Sequence, residues 1–397
     1  MRVLFLSPYP PSRIRVRPFH WVQTLARRGH EVTLVALQPP GENGEALDAL
    51  RTDCAAVHLV PHPRRRTLWN ALRALPTRQP LQMEYSRSPE AIRLVRRIQE
   101  RTPFDVVHIE HLRGAVLAEG VMGGTPIIYD SVDSIALLFE RMLKDPPTLK
   151  SRLMARLELA RTRRFEAQLA ARFSRVVVTS PTDRDALLAL AGGEQAERCA
   201  VIPNGVDLDY FHCVPLEERE PATVVFTGKM SYHANVAAAL DLAQSVMPLV
   251  WQQAPEAQLV IVGKDPAPAV RALAADPRIT VTGTVPDMRP YLGRATLSVS
   301  AIRYGVGVQN KVLESMAMGT PVVCTPQACS ALAVTPGQEL LTGETAEALA
   351  AHALDLLADA QRRAALAKAG RRFVERRHSW DAQTAALEQV YHEALAG

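Results

Sequence analysis

Three clusters in this sequence combine residue types and spacings that suit chemistry. The densest runs Gly305-Val306-Gly307-Val308-Gln309-Asn310-Lys311-Val312-Leu313-Glu314 and continues to Gly319. A glycine-rich turn feeding a helix presents backbone N–H groups to an anion, and Asn310 and Lys311 add donors and positive charge at that end. Glu314 follows one helical turn later on a neighbouring face. A carboxylate there can accept both vicinal hydroxyls of a ribose. The pattern predicts a phosphate-and-ribose site; its plain alternative is a capped helix with an exposed glutamate.

The second cluster is Asp105-Val106-Val107-His108-Ile109-Glu110-His111. It reads as a strand that delivers His108, Glu110 and His111 to its carboxyl end. Imidazoles that titrate near neutrality, beside a carboxylate, suit proton transfer or stabilisation of an oxocarbenium centre. Zinc ligation is a rival use, but the spacing is not His-Glu-x-x-His on a helix. A purely structural cluster is the other alternative. The third group is Arg13, Arg15 and Arg17, after Pro8-Tyr9-Pro10-Pro11-Ser12, with a solvated basic loop as its plain alternative; Asp130-Ser131-Val132-Asp133 stands apart from it at the end of another predicted strand. The arginines can meet an anion, and Asp130 and Asp133 can receive hydroxyls or cap a helix.

Each cluster falls after a predicted strand, where α/β folds place ligands. Strand-forming runs occur at 3–7, 31–37, 105–109, 126–129, 176–180 and 199–202. They resume at 223–227, 258–262, 279–281, 296–300 and 321–324. Helical patterns at 19–28, 91–100, 149–173, 234–253, 310–318 and 379–396 alternate with them. Near-continuous apolar strands between helices predict α/β architecture with parallel sheets covered on both faces. A length of 397 residues exceeds what one core usually organises, and the alternation restarts near Pro203-Asn204-Gly205. Two Rossmann-like doubly wound domains are expected: 1–203 joined by the last helix, 379–397, and 204–378.

Composition narrows the class. With 47% hydrophobic and 22% charged residues the chain is neither disordered nor fibrous. No run is long and apolar enough for a membrane span, and the first residues do not form a secretory signal, so a cytoplasmic protein is expected. Five scattered cysteines without Cys-x-x-Cys predict neither a disulfide framework nor a zinc site. The net charge of +5 divides into +9 over residues 1–200 and −4 over the remainder. An anionic partner for the first half follows. Nucleic acid is not expected, because no nucleic-acid-binding motif accompanies the charge.

Asn204-Gly205-Val206-Asp207 with Phe211 resembles the interdomain segment of retaining glycosyltransferases of family 4. The helix ending Glu314-Ser315-Met316-Ala317-Met318-Gly319-Thr320-Pro321-Val322-Val323 is similar to the second half of that family's Glu-x7-Glu motif. Val225-Phe226-Thr227-Gly228-Lys229 and Leu259-Val260-Ile261-Val262-Gly263 extend the likeness over nearly the whole chain. It is nearest the sugar transferases associated with PEP-CTERM/exopolysaccharide gene clusters. The first Glu of the motif is Val306 here. Asp207-Leu208-Asp209 matches the Asp-x-Asp of a metal-dependent fold, but its interdomain position argues against that use.

The resemblance implies a GT-B fold, with the two domains facing across a cleft and the last helix crossing back to the first. It implies retaining transfer from a nucleotide-diphosphate sugar with no metal and no further cofactor. His108 would act at the anomeric centre, with Glu110 and His111 orienting it or the acceptor. Gly228, Lys229, Asn235, Arg303, Gly305, Gly307, Gln309, Asn310, Lys311 and Glu314 would hold the donor. Arg13, Arg15, Asp130 and Asp133 would hold a carbohydrate or lipid-linked acceptor. A nucleotide-sugar epimerase and a non-catalytic nucleotide-sugar binder are the alternatives. Residues 141–175 carry ten Lys and Arg against three acids. Leu149, Leu153, Leu157, Phe165, Leu169 and Phe173 recur there at helical spacing. This stretch predicts peripheral contact with an anionic membrane at its inner face, or an apolar stripe packed on the sheet with only the charges outward.

Overall fold

The computed structural model describes residues 1–12, 15–41, 47–144, 149–193, 196–303 and 309–397. The chain divides into one unit of Met1–Pro203 with Gln383–Gly397 and a second of Asn204–Ala382.

The first unit is built on seven parallel strands. They are β1 (Arg2–Ser7), β2 (Glu31–Gln38), β3 (Ala56–Pro61), β4 (Val106–Glu110), β5 (Ile127–Val132), β6 (Arg175–Val178) and β7 (Cys199–Val201). Their order across the sheet is β3-β2-β1-β4-β5-β6-β7. Val3, Leu4, Phe5 and Leu6 are all fully buried, as a strand covered on both faces requires. The second unit carries β8 (Thr223–Thr227), β9 (Gln258–Val262), β10 (Ile279–Val281), β11 (Leu297–Ser300), β12 (Val322–Cys324) and β13 (Leu341–Thr342). Here the order is β10-β9-β8-β11-β12-β13. Both sheets start in the middle, add strands to one side, then cross to the other. The crossing falls beside β1 and β4 in one unit and beside β8 and β11 in the other. Loops diverge there, so each sheet opens a crevice at the carboxyl ends of those strands.

Two strands escape the sequence patterns. β3 lies at a sheet edge and ends on Pro61, a residue tolerated only where no ladder bond is lost. β13 has two residues, too few for a periodic signal. The predicted helix at 234–253 is also divided. His233–Asp241 passes through a π-helical turn, Leu242–Val246, into Met247–Trp251. Pro248 has no N–H to donate, and the wider turn takes up the missing bond.

The predicted helix at 149–173 ends at Glu166, and a short helix, Leu169–Arg172, follows. Its buried face differs from the leucine stripe. Phe165, Leu169 and Phe173 are buried, whereas Leu153 and Leu157 are exposed. Ala155, Glu158, Thr162 and Glu166 turn inward instead. The two acids are satisfied there: Glu158 accepts from Leu81 N at 3.1 Å, and Glu166 accepts from Ser134 Oγ at 2.9 Å and Ile135 N at 2.7 Å. Glu166 thus supplies the acceptor that the free N–H groups at the start of helix Ile135–Lys144 need.

The polar segment after Asn204 is also pinned down. Arg219 donates to Ala295 O at 2.9 Å, Met318 O at 2.9 Å and Thr320 Oγ1 at 2.8 Å. All five cysteines are free thiols. No helix among the described residues is long and apolar enough to cross a membrane.

Candidate functional site

In the second unit the crevice beside β8 gathers residues that lie far apart in sequence. Gly228 and Gly263 directly follow the neighbouring strands β8 and β9. A Cβ on Gly263 would fall 1.6 Å from Gly228 O, so the two loops approach as closely as bare backbone allows. A Cβ on Gly228 would lie 2.7 Å from Asn235 Nδ2 and 3.1 Å from Lys311 Nζ. Lys311 donates to Asn235 Oδ1, 76 positions away, at 2.5 Å, and its amine stands 4.8 Å from the centre of the Phe226 ring. Asn235 in turn donates to Lys229 O at 3.0 Å.

Helix Asn310–Ala317 starts at this crevice with no side chain capping it. Asn310 Oδ1 is buried without a partner among the described residues. Burial dominates the electrostatics of the two ionisable groups here. Burial pulls the Lys311 amine down to about 8, while Glu314 draws it up. Burial pushes the half-buried Glu314 carboxyl up to about 7, and Lys311 opposes it. A phosphate beside Lys311 would restore its full charge, and ribose hydroxyls would solvate an ionised Glu314.

The other donor candidates divide. Lys229 is exposed, at the mouth of the crevice, and Gln309 occupies the residue before the helix. Arg303 is not part of the cluster: Asp241 Oδ2 holds it at 2.8 Å and Glu344 O at 2.6 Å. Asp241 lies six residues beyond Asn235 along the helix, so Arg303 is spent on a structural contact. Gly305, Val306 and Gly307 lie outside the described residues.

The crevice of the first unit is layered, and its layers correct the sequence reading. His108 is fully buried. Its ring stacks on Phe5 with centroids 4.4 Å apart, and Nδ1 lies 2.9 Å from the hydroxyl of Tyr391, 283 positions away. Burial lowers its pKa to about 4, so the ring is neutral. Its Nε2 faces Asp130 Oδ2 at 3.8 Å and has no hydrogen-bond partner among the described residues. The ring sits beneath the crevice floor, enclosed by Phe5 and Tyr391.

Asp130, expected to receive hydroxyls, is likewise fully buried. It accepts from Arg17 Nε at 2.7 Å, Trp21 Nε1 at 3.0 Å and Val132 N at 3.1 Å. Arg17 also donates to Ile202 O at 3.0 Å. Burial and the neighbouring Asp130 hold Glu110 well above the usual carboxylate range. His108, Glu110 and Asp130 bring one ligand atom each within 4.8 Å of one another, a grouping with the donor types of a metal site. The Arg17 guanidinium already pairs with Asp130 Oδ2 of this group, at 2.7 Å.

The rim itself is made by backbone in an unusual conformation. His111, the first residue after β4, has φ +62°, and Val132, the last of β5, has φ +66°. A β-branched residue rarely holds a left-handed conformation, and such strain marks functional positions. His111 is half-buried, and its Nδ1 accepts from Arg113 N at 3.3 Å. Burial brings its pKa to about 4, so the proton of the neutral ring sits on Nε2, which becomes a hydrogen-bond donor. Of the three residues expected to be catalytic, His111 alone reaches the surface. Asp133 is exposed and accepts from Thr179 Oγ1 at 3.1 Å. Arg15 lies over the Tyr9 ring at 4.2 Å, and Arg13 lies outside the described residues.

Trp21, Tyr391 and the Arg17–Asp130 pair were invisible to motif reading, because no local spacing links them. His111→Ala is expected to remove activity and leave the thermal transition in place. His108→Ala is expected to open a cavity between Phe5 and Tyr391 and lower stability by about 2–4 kcal/mol. Thermal unfolding measured beside turnover separates the two.

Residues 16–210 match the family model described as Glycosyltransferase Family 4, and residues 221–359 match Glycosyl transferases group 1. No curated protein sequence matches the chain. Among solved structures, HepE from Anabaena in complex with UDP and glucose is 16% identical, covers 98% of both chains and has a TM-score of 0.66. Sucrose-phosphate synthase from Thermosynechococcus elongatus is 18% identical over 100% of both chains, with a TM-score of 0.63. TarM is 10% identical over 98% of this chain and 99% of its own, with a TM-score of 0.68. The fold is therefore GT-B, and the two family matches support a glycosyltransferase.

Proposed function

We propose that this protein is a retaining glycosyltransferase that moves a sugar from a nucleotide-diphosphate sugar to a carbohydrate or lipid-linked acceptor. The observation that carries the reading is the cluster of Gly228, Asn235, Lys311 and Glu314 at the second unit's strand crossing. Gly228 lets Asn235 and Lys311 close on the strand end, Lys311 supplies charge for a phosphate, and Glu314 suits the ribose. As the sugar departs, negative charge grows on the diphosphate, and a fixed ammonium with oriented amides stabilises it more in the transition state than in the ground state. These groups replace the Lewis acid that other transferases use, so activity is expected to persist in EDTA. His111 would hold an oxygen of the acceptor or the sugar through Nε2–H, with Asp133 and Arg15 nearby on the first unit.

The UDP bound to HepE supports a UDP-sugar as the first donor to test. The motif likeness to transferases of PEP-CTERM/exopolysaccharide clusters supports an acceptor in cell-surface or exopolysaccharide assembly. The basic stretch 141–175 supports work in the cytoplasm at the inner membrane face. Incubation with a panel of radiolabelled nucleotide sugars tests the reading: transfer to an acceptor supports it, an epimer or binding without turnover overturns it. Glu314→Gln is expected to weaken donor binding by about 1.5–3 kcal/mol, the worth of a charge-assisted hydrogen bond, with folding unchanged. Calorimetric titration with the nucleotide checks it, and an unchanged constant removes Glu314 from the site.

A further inference from the structure

One face of the first unit runs against the rule that apolar side chains turn inward. Helix Arg64–Ala74 buries only Ala74, while Leu68 is 67%, Trp69 60% and Leu72 62% exposed. These three share the outward side of the helix at i, i+1, i+4 spacing. Helix Leu149–Glu166 presents Leu153, 70% exposed, and Leu157, 44% exposed, on its own outer side.

The two helices are joined at their ends. Arg161 donates to Ala74 O at 3.2 Å, Leu75 O at 2.7 Å and Gln79 O at 3.3 Å, and Glu158 takes Leu81 N. Arg161 follows Leu153 and Leu157 at i+4 steps, so the apolar residues of the second helix run toward the end of the first. A grouped apolar surface of this kind marks an interaction site.

The surrounding charge says what it meets. Arg64, Arg65 and Arg73 flank the leucines and tryptophan of the first helix, and Arg152 and Arg156 those of the second. All are exposed. A cavity of about 410 Å³, lined by Arg78, Arg164 and Arg172 with Gln79, Phe165 and Gln168, lies where the two helices are joined. Arg78 and Arg164 have no acidic partner among the described residues. Apolar side chains that include tryptophan, ringed by arginine and next to an arginine-lined cavity, match a bilayer with anionic headgroups: acyl chains for the one, phosphate for the other.

We propose that this face docks on an anionic lipid bilayer, with Leu68, Trp69, Leu72, Leu153 and Leu157 entering beneath the headgroups and the Arg78–Arg164–Arg172 cavity holding a lipid phosphate. This deepens the membrane contact proposed above. It adds helix Arg64–Ala74, and it assigns the leading role to inserted side chains rather than to charge alone. Its test needs no turnover, so its failure and that of the transferase reading are separate results.

The full chain is sedimented with vesicles of phosphatidylglycerol and phosphatidylcholine, or of phosphatidylcholine alone, while tryptophan emission is followed. Of the four tryptophans, Trp21 and Trp380 are buried and Trp251 donates to Ala257 O, so Trp69 is the one set to change environment. Binding to the anionic vesicles with a blue shift, lost in Trp69→Phe while binding persists, is expected. Leu68→Ser/Trp69→Ser/Leu72→Ser should weaken partitioning on the order of a hundredfold with an unchanged circular dichroism spectrum. Arg78→Glu/Arg164→Glu/Arg172→Glu should weaken it about a hundredfold and abolish the preference for anionic lipid. Binding that survives the apolar triple variant, or an absent blue shift, overturns the proposal. So does a wild-type dimer in sedimentation velocity that the same variant turns to monomer, because the face would then cover a second copy.

Discussion

Lys311→Ala is expected to lower turnover by about 10²–10³-fold, the loss seen when one group that stabilises developing negative charge is removed. The amine is half-buried, hydrogen-bonded to Asn235 and set over the Phe226 ring, so water does not replace it readily. Because charge on the leaving diphosphate is greatest in the transition state, kcat should fall together with kcat/KM. A rise in KM at constant kcat would instead mean that Lys311 only binds. The pH profile is a second check. Binding needs an ionised Glu314, raised to about 7, so kcat/KM should climb through that pH. It also needs a protonated Lys311, lowered to about 8, so kcat/KM should fall again above it. Bound phosphate stabilises the ammonium, which moves the falling limb of kcat to higher pH than that of kcat/KM.

Asp130→Asn is expected to destabilise the first unit by about 3–5 kcal/mol. The guanidinium of Arg17 would keep its burial and lose its counter-charge, the most costly way to break a buried pair. The early loss should appear in the transition of the first unit alone, seen by calorimetry as a separation of two unfolding events. Adding Arg17→Met should restore much of it, because no charge is then left unpaired. If Asp130→Asn kept full stability and lost activity, Asp130 would be a ligand-binding residue after all. Burial keeps His108 neutral, and the pair does not reverse it: Asp130 draws the ring's pKa up while Arg17 draws it down.

The strand series, the restart near residue 204 and the helix that begins at Asn310 were legible in the chain because they are local. Continuous apolar runs between helices admit few arrangements other than covered parallel sheets. A glycine at the end of a strand followed by a polar residue marks the turn of such a sheet, and Gly228 and Gly263 occupy those places. The same local logic failed for helix Leu149–Glu166. Leucines at helical spacing define a stripe, but Glu158 and Glu166 take the inner face because Leu81 N and the start of helix Ile135–Lys144 need acceptors there.

What the sequence determined by itself was therefore the list of groups able to meet a phosphate, a ribose or a proton, and the sheet ends that carry them. Only the tertiary structure decided which of them are accessible. His108, Glu110 and His111 lie within four positions of one another, yet His108 and Glu110 are enclosed and His111 is at the rim. Tyr391 and Phe5 close over His108, and Arg17 and Trp21 arrive at Asp130 from the first helix. Accessibility depends on what packs above a residue, and those partners come from positions up to 283 residues away. No periodicity reports them, because burial is settled by the order of strands and the return of the last helix rather than by neighbours in the chain.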